Sequence, residues 1–168
     1  MEARVNLKSL FLFLHIMSAI CLVGGLLSRQ IVRAHAKKMA DVRVISELYN
    51  VAGRIESVLI IPFNMMVVVS GLIYAIMIKA PILGFLQGAS QNWLLVTNLL
   101  VLATPLPIIF FFIPRGRKFE PVIREALGRG QITPELAAQL QDPMMKRMHL
   151  IELIGVVFVV ALMVFKPF

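Results

Sequence analysis

At 168 residues, 59% of them hydrophobic, the chain has room for one membrane-embedded domain and none for a second, soluble one. Its single cysteine, Cys21, lies inside an apolar run, which excludes a disulfide framework. The net charge of +8 raises the question of nucleic acid, but the cations are sorted into two loops, the pattern of membrane topology and anionic headgroups; no nucleic-acid partner is expected.

A membrane-spanning helix needs about 20 mostly apolar residues, because lipid offers no partner to bare backbone amides. Four such segments occur, at about 10–28, 56–78, 93–114 and 148–166, separated on one side by loops 29–55 and 115–147. The pattern predicts an all-α fold, a four-helix integral membrane bundle in one domain, 1–168, with the lipid bilayer as its first partner. The apolar runs Leu10–Leu27, Val58–Ile78 and Trp93–Pro114 contain no Asp, Glu, Lys or Arg. The fourth segment differs: only thirteen uncharged residues separate Glu152 from Lys166, so it reaches spanning length by taking in His149 and Glu152. An ionisable group drawn into a membrane is costly and marks a functional candidate.

The first segment has a weakly basic start but no small-residue cleavage pattern, and bulky Ile20 precedes Cys21 where a lipoprotein site wants a small residue. It reads as a retained helix. Six cations (Arg29, Arg33, Lys37, Lys38, Arg43, Arg54) fall in the first loop and seven (Arg115, Arg117, Lys118, Arg124, Arg129, Lys146, Arg147) in the second. Only Arg4, Lys8, Lys79 and Lys166 fall on the other side. Positive loops stay in the cytoplasm, so the expectation is a bacterial inner-membrane protein with both termini and the 80–92 loop outside.

Within 29–54, Ile31, Val32, Met39, Val42, Ile45 and Leu48 recur at near-helical spacing among charges, so helix one is expected to continue as an amphipathic extension. In the second loop 119–127 is amphipathic and stops at Gly128 and Gly130. Thr133-Pro134-Glu135 then restarts a helix with a cap, a first-turn proline and an early acid. Asp142-Pro143 closes that piece. Pro62, Pro105 and Pro107 predict kinks inside the spans.

Polar residues inside the spans are few enough to place by depth. At about 1.5 Å per residue, His15 lies some 8 Å in from the outer side, level with Thr97 and Asn98 and just above Ser70. His15 continues a stripe through Ser18, Leu22, Gly25 and Arg29, whose small and polar members should face other helices. A second cluster is expected at the cytoplasmic end: Arg29, Arg54, Glu56, His149 and Glu152. Unpaired carboxylates are costly there, so the group reads either as an ion-pair latch or as a proton or cation path. A neutral imidazole such as His15 is either a helix–helix hydrogen bond or a ligand for haem iron or another metal. His15 and His149 lie on opposite sides, roughly 20 Å apart by helical rise, and cannot share one haem. A second axial position would fall to water or to Met163 or Met77. The ten methionines also raise copper, but Met17, Met65-Met66 and Met144-Met145 do not gather on one face with His15.

Several short motifs resemble a known group. Leu14-His15-Ile16, Gly24-Gly25-Leu26 and Arg33-Ala34-His35-Ala36 look like the first helix of HemJ-type protoporphyrinogen oxidases and the related copper-resistance D-like membrane proteins. Pro62 with Gly71, then Glu152 and the ending Val164-Phe165-Lys166-Pro167-Phe168, resemble the second and fourth helices of that group. The resemblance implies a four-helix fold, haem b as cofactor and His15 as iron ligand; depth and face make Ser18 and Asn98 candidate cofactor-binding residues with it. It also departs from the group. The third-helix lysine of HemJ falls on Thr97 or Asn98, and the Asn before the fourth-helix Glu falls on Ile151. The fold therefore carries over better than the porphyrinogen-oxidising reaction. Three function classes follow: a haem-b redox protein, a proton- or cation-handling protein, and a non-catalytic subunit of a homo-oligomer or larger membrane complex. No catalytic residue is assigned.

Overall fold

The computed structural model describes residues 6–167, all helix and turn without a strand among them. Helix α1, Leu7–Ala36, begins where the Asn6 side chain accepts the Lys8 amide N–H at 3.1 Å. Helix α2, Val42–Met77, opens on Asp41, which accepts the Arg43 N–H at 2.8 Å. Helix α3, Trp93–Arg129, ends on Gly130 at φ +66°, a conformation only glycine adopts freely. Short α4, Pro134–Leu140, is capped by Thr133, and α5, Pro143–Phe165, by Asp142, whose carboxylate accepts the Met144 N–H at 2.8 Å. The expected helix start at Thr133-Pro134-Glu135 is therefore present, and Asp142-Pro143 opens α5 as well as closing α4. Each of the four apolar segments lies in a helix long and apolar enough to cross a membrane.

One expectation changes. Helix one does not run on through the first loop: the chain turns at 37–41, and 42–55 becomes the first part of α2. The Asp41 cap explains this, since a side-chain acceptor for the Arg43 amide lets a new helix begin there. The second loop is also more helical than expected, because α3, after an irregular turn at Thr104, runs on from the apolar span to Arg129.

Both long helices contain a π turn, Glu56–Ile60 in α2 and Ile108–Phe112 in α3. Each closes with an isoleucine N–H reaching back five residues, Ile61 to Glu56 and Ile113 to Ile108, and each is followed at once by a proline, Pro62 or Pro114. Proline lacks the amide that an α-helix would use, so a shift of register just before it re-satisfies the backbone.

Helix α1 packs along α2, and the first half of α3 packs on α5. Gly25 permits the close approach of α1, since a Cβ there would stand 3.0 Å from Leu59 Cβ within the first π turn. Leu22, Leu26 and Ile60 form the mid-span core with Phe63, Val67 and Val156. Ala75, Trp93 and Leu94 form another at the end away from the basic loops, against Met163. Phe13, Ile20, Val58, Leu102, Phe110 and Val157 remain exposed, the surface that acyl chains cover.

On the basic side the helices meet in a water-side core. Val42 and Ile45 of α2, Ile123 and Ala126 of α3, and Leu136 and Leu140 of α4 are buried together, and Tyr49 stacks on Phe119 at 4.5 Å. Here burial from water drives assembly, at roughly 1.5–3 kcal/mol for a large aliphatic side chain. Within lipid that drive is missing, and packing and polar contacts must hold the helices.

Candidate functional site

At the boundary between the apolar spans and the water-side core, five charged or titratable side chains from three helices converge. Arg29 and Arg33 are one turn apart on α1, Glu56 opens the π turn of α2, and His149 and Glu152 share a face of α5. Arg29 is 4% exposed; its Nη2 donates to Glu152 Oε2 and its Nη1 lies 3.5 Å from Glu56 Oε1. Arg33 Nη2 lies 3.4 Å from Glu56 Oε2, and its Nη1 lies 3.0 Å from His149 Nε2. His149 Nδ1 stands 3.4 Å from Glu152 Oε2, while Gln30 donates to the His149 carbonyl at 3.4 Å.

These contacts fix the imidazole. A guanidinium has no lone pair to offer, so Nε2 must accept from Arg33, and the ring proton sits on Nδ1 facing Glu152. His149 is therefore neutral in this arrangement. Two guanidinium and two carboxylate groups then balance to zero, the condition under which such a group is tolerated at a membrane boundary. Phe112, last residue of the α3 π turn, stacks on the His149 ring at 5.0 Å and 25°. Both π turns thus deliver a side chain to the same cluster. Among helical irregularities, π turns recur at functional sites.

The structure brings together Arg29, Glu56, His149 and Glu152 of the predicted cluster. Arg54 lies apart and exposed, and Arg33 fills the place expected for it. The physical reason is angular: positions two apart in a helix point about 200° away from each other, so Glu56 and Arg54 cannot both face α1. The stripe through Ser18, Leu22, Gly25 and Arg29 would have found Arg33 had it been extended one turn.

Asp142 lies just outside the span. Burial alone would raise its carboxyl, but the Met144 amide, Arg115 at 3.1 Å and the Met145 amide outweigh that and hold it below the ordinary carboxylate value. Arg115 in turn lies 3.9 Å over the Phe111 ring.

The outer polar group is assembled differently. His15 is half-buried between α1 and α2, with Nδ1 2.9 Å from the Val67 carbonyl oxygen. The ring lies on Gly71, where a Cβ would stand 2.7 Å from His15 Cε1. Ser18 is buried on the same α1 stripe. Ser70 bonds the Met66 carbonyl of its own helix, and buried Thr97 bonds the Trp93 carbonyl at 2.9 Å. Asn98 donates to the Ile82 carbonyl at 3.1 Å and so tethers the loop between α2 and α3. The hydrogen bonds of these side chains run to backbone carbonyls, and none of them joins His15 to Ser18 or Asn98.

With Nδ1 facing a carbonyl, that nitrogen is the donor, so the neutral ring has its lone pair on Nε2. Among the described residues no three His, Cys, Asp or Glu side chains gather to hold a bare metal ion. A haem, which brings its own four nitrogens, needs only one such imidazole from the protein. An imidazole fixed in this way is of the type that could serve such a group.

Comparison with known families gives a match over residues 9–167 to DUF2269, described as a predicted integral membrane protein. The chain belongs to this family. The match takes in all four spans and both basic loops, so the membrane assignment rests on family as well as on helix length. No curated protein and no solved structure matches the chain.

Proposed function

We propose that this DUF2269 protein is a haem-b-binding redox protein of the bacterial inner membrane, akin to the HemJ-type proteins, with His15 as the residue that would ligate the iron. The observation that carries the reading is the His15 Nδ1–Val67 carbonyl bond. Haem and metal ligands of this kind have one ring nitrogen fixed by a carbonyl, which sets the tautomer and aims the other nitrogen. Gly71 supports it by leaving room for the ring against α2.

When bound, the haem supplies one-electron transfer. The protein would hold it through His15 Nε2, with Ser18 one turn further along the same α1 stripe; Asn98 was expected at the same depth but bonds the Ile82 carbonyl. With the basic loops in the cytoplasm, His15 lies in the outer half of the bilayer. The absence of a lysine at Thr97 or Asn98 argues for electron transfer over binding of an acidic porphyrin substrate.

The test is spectroscopic. Full-length protein purified in mild detergent should show a Soret band that sharpens on reduction, and His15→Ala should abolish it while leaving membrane insertion intact. Colourless protein from haem-sufficient cells, fully inserted, refutes the reading.

A further inference from the structure

The charged cluster between α1, α2 and α5 plays no part in holding a haem at His15, yet it contains the most tightly specified titratable group in the chain. We propose that His149 is a proton-binding site whose occupancy loosens α1 from α5: a proton taken up at Nε2 expels Arg33 and widens the basic side of the bundle.

The argument is one of hydrogen-bond polarity. Nε2 accepts from Arg33 Nη1 at 3.0 Å. A proton added at Nε2 turns that acceptor into a donor, and two cationic N–H groups then point at each other at hydrogen-bond distance. One must leave. The imidazolium is held on its other side by Glu152 at 3.4 Å and by the Phe112 ring, whereas Arg33 keeps Glu56 at 3.4 Å as an alternative partner. Arg33 is therefore the group that moves, toward α2 and away from α5.

The surroundings are charged on every side. From α1, Arg29 and Arg33 face His149; from α2, Glu56 holds both arginines, and Tyr49 lies within electrostatic reach of Arg33. From α3 only the uncharged Phe112 touches the ring, with Arg115 one turn beyond and bound to Asp142. From α5 itself comes Glu152. The resting network is neutral, and one proton makes it cationic, so the effect of that proton is not diluted by spare carboxylates already facing Nε2. Release of Arg33 removes one of the side-chain links between α1 and α5, while Arg29 to Glu152 and Gln30 to the His149 carbonyl remain as the pivot about which they part.

The experiment uses the full chain in lipid nanodiscs, with Cys21→Ser and spin labels on Ala34→Cys of α1 and Leu150→Cys of α5, both exposed positions. Between roughly pH 8 and pH 5, the range in which histidine changes charge, the interlabel distance should lengthen. His149→Phe, which keeps a ring against Phe112, should hold one distance throughout, and His35→Gln should behave like the parent. A distance that does not respond to pH, or a response that persists in His149→Phe, overturns the proposal. A second readout needs no substitution: nitrogen NMR of labelled imidazoles should find His149 protonated on Nδ1 alone near neutrality, and the opposite tautomer equally overturns it.

Discussion

Arg33 of α1 donates to His149 of α5 across 3.0 Å, a long-range contact 116 residues apart in sequence between a guanidinium and a neutral imidazole. The same arginine reaches Glu56 of α2, so one side chain ties three helices at the edge of the bilayer.

Replacing Arg33 should therefore matter far more than replacing Arg54. Arg33→Ala leaves Glu56 and His149 short of a donor and should cost about 1–3 kcal/mol; Arg54→Ala, at an exposed position, should stay within about 0.5 kcal/mol. Thermal unfolding of the two variants in the same detergent reads the difference, and equal losses would count against the network.

Arg29 is buried against Glu152, which makes that pair harder to break than to replace. Glu152→Leu alone leaves buried Arg29 only its 3.5 Å contact with Glu56 and should destabilise by up to about 3–5 kcal/mol. Adding Arg29→Met should recover much of that loss. A double-mutant cycle in unfolding free energy measures the coupling; strictly additive losses contradict it.

Gly71 leaves space that the His15 ring occupies. Gly71→Ala would set a Cβ 2.7 Å from His15 Cε1, so the ring must leave the Val67 carbonyl or the helices must part. A loss of about 1–3 kcal/mol is expected. Gly24→Ala, where a Cβ meets nothing within 4 Å, is the control and should be neutral or slightly stabilising. Similar effects at both positions would refute the close contact.

The Asp142 carboxyl sits below its ordinary value in the folded protein, so folding favours its ionised form. Its contribution to stability is present above the unfolded-state value and is lost as pH falls through the folded one. Asp142→Asn keeps a cap of α5 but loses the charge facing Arg115. The melting-temperature gap between parent and variant should be widest near neutrality and should close in acid. A gap independent of pH would show that the charge contributes nothing.

Much of this fold could be read from residue order. The spans follow from hydropathy, and the Thr133 and Asp142 starts follow from capping chemistry. His149 and Glu152 drew notice because the last apolar run was too short without them. What could not be read was rotation about the helix axes. Arg54 was placed by depth alone, and depth does not say which way a side chain points. Register was hidden too: a period of 3.6 assumes an unbroken α-helix, while α2 and α3 each change register before Pro62 or Pro114. Those changes decide that Glu56 and Phe112 arrive at one place. Likewise the partner of Asn98, a carbonyl of the neighbouring loop, has no signature in residue type or spacing.

The two register changes also divide the molecule mechanically. Helices α2 and α3 are rods of about 55 Å at 1.5 Å per residue, each anchored in the water-side core and each carrying a π turn near the arginine cluster, with a further irregular turn at Thr104 in α3. Below the π turns the rods are clamped by close-packed aliphatic side chains; above them they stand in fluid hydrocarbon. Bending at a π turn would therefore swing the apolar half of a rod while its basic half stays clamped.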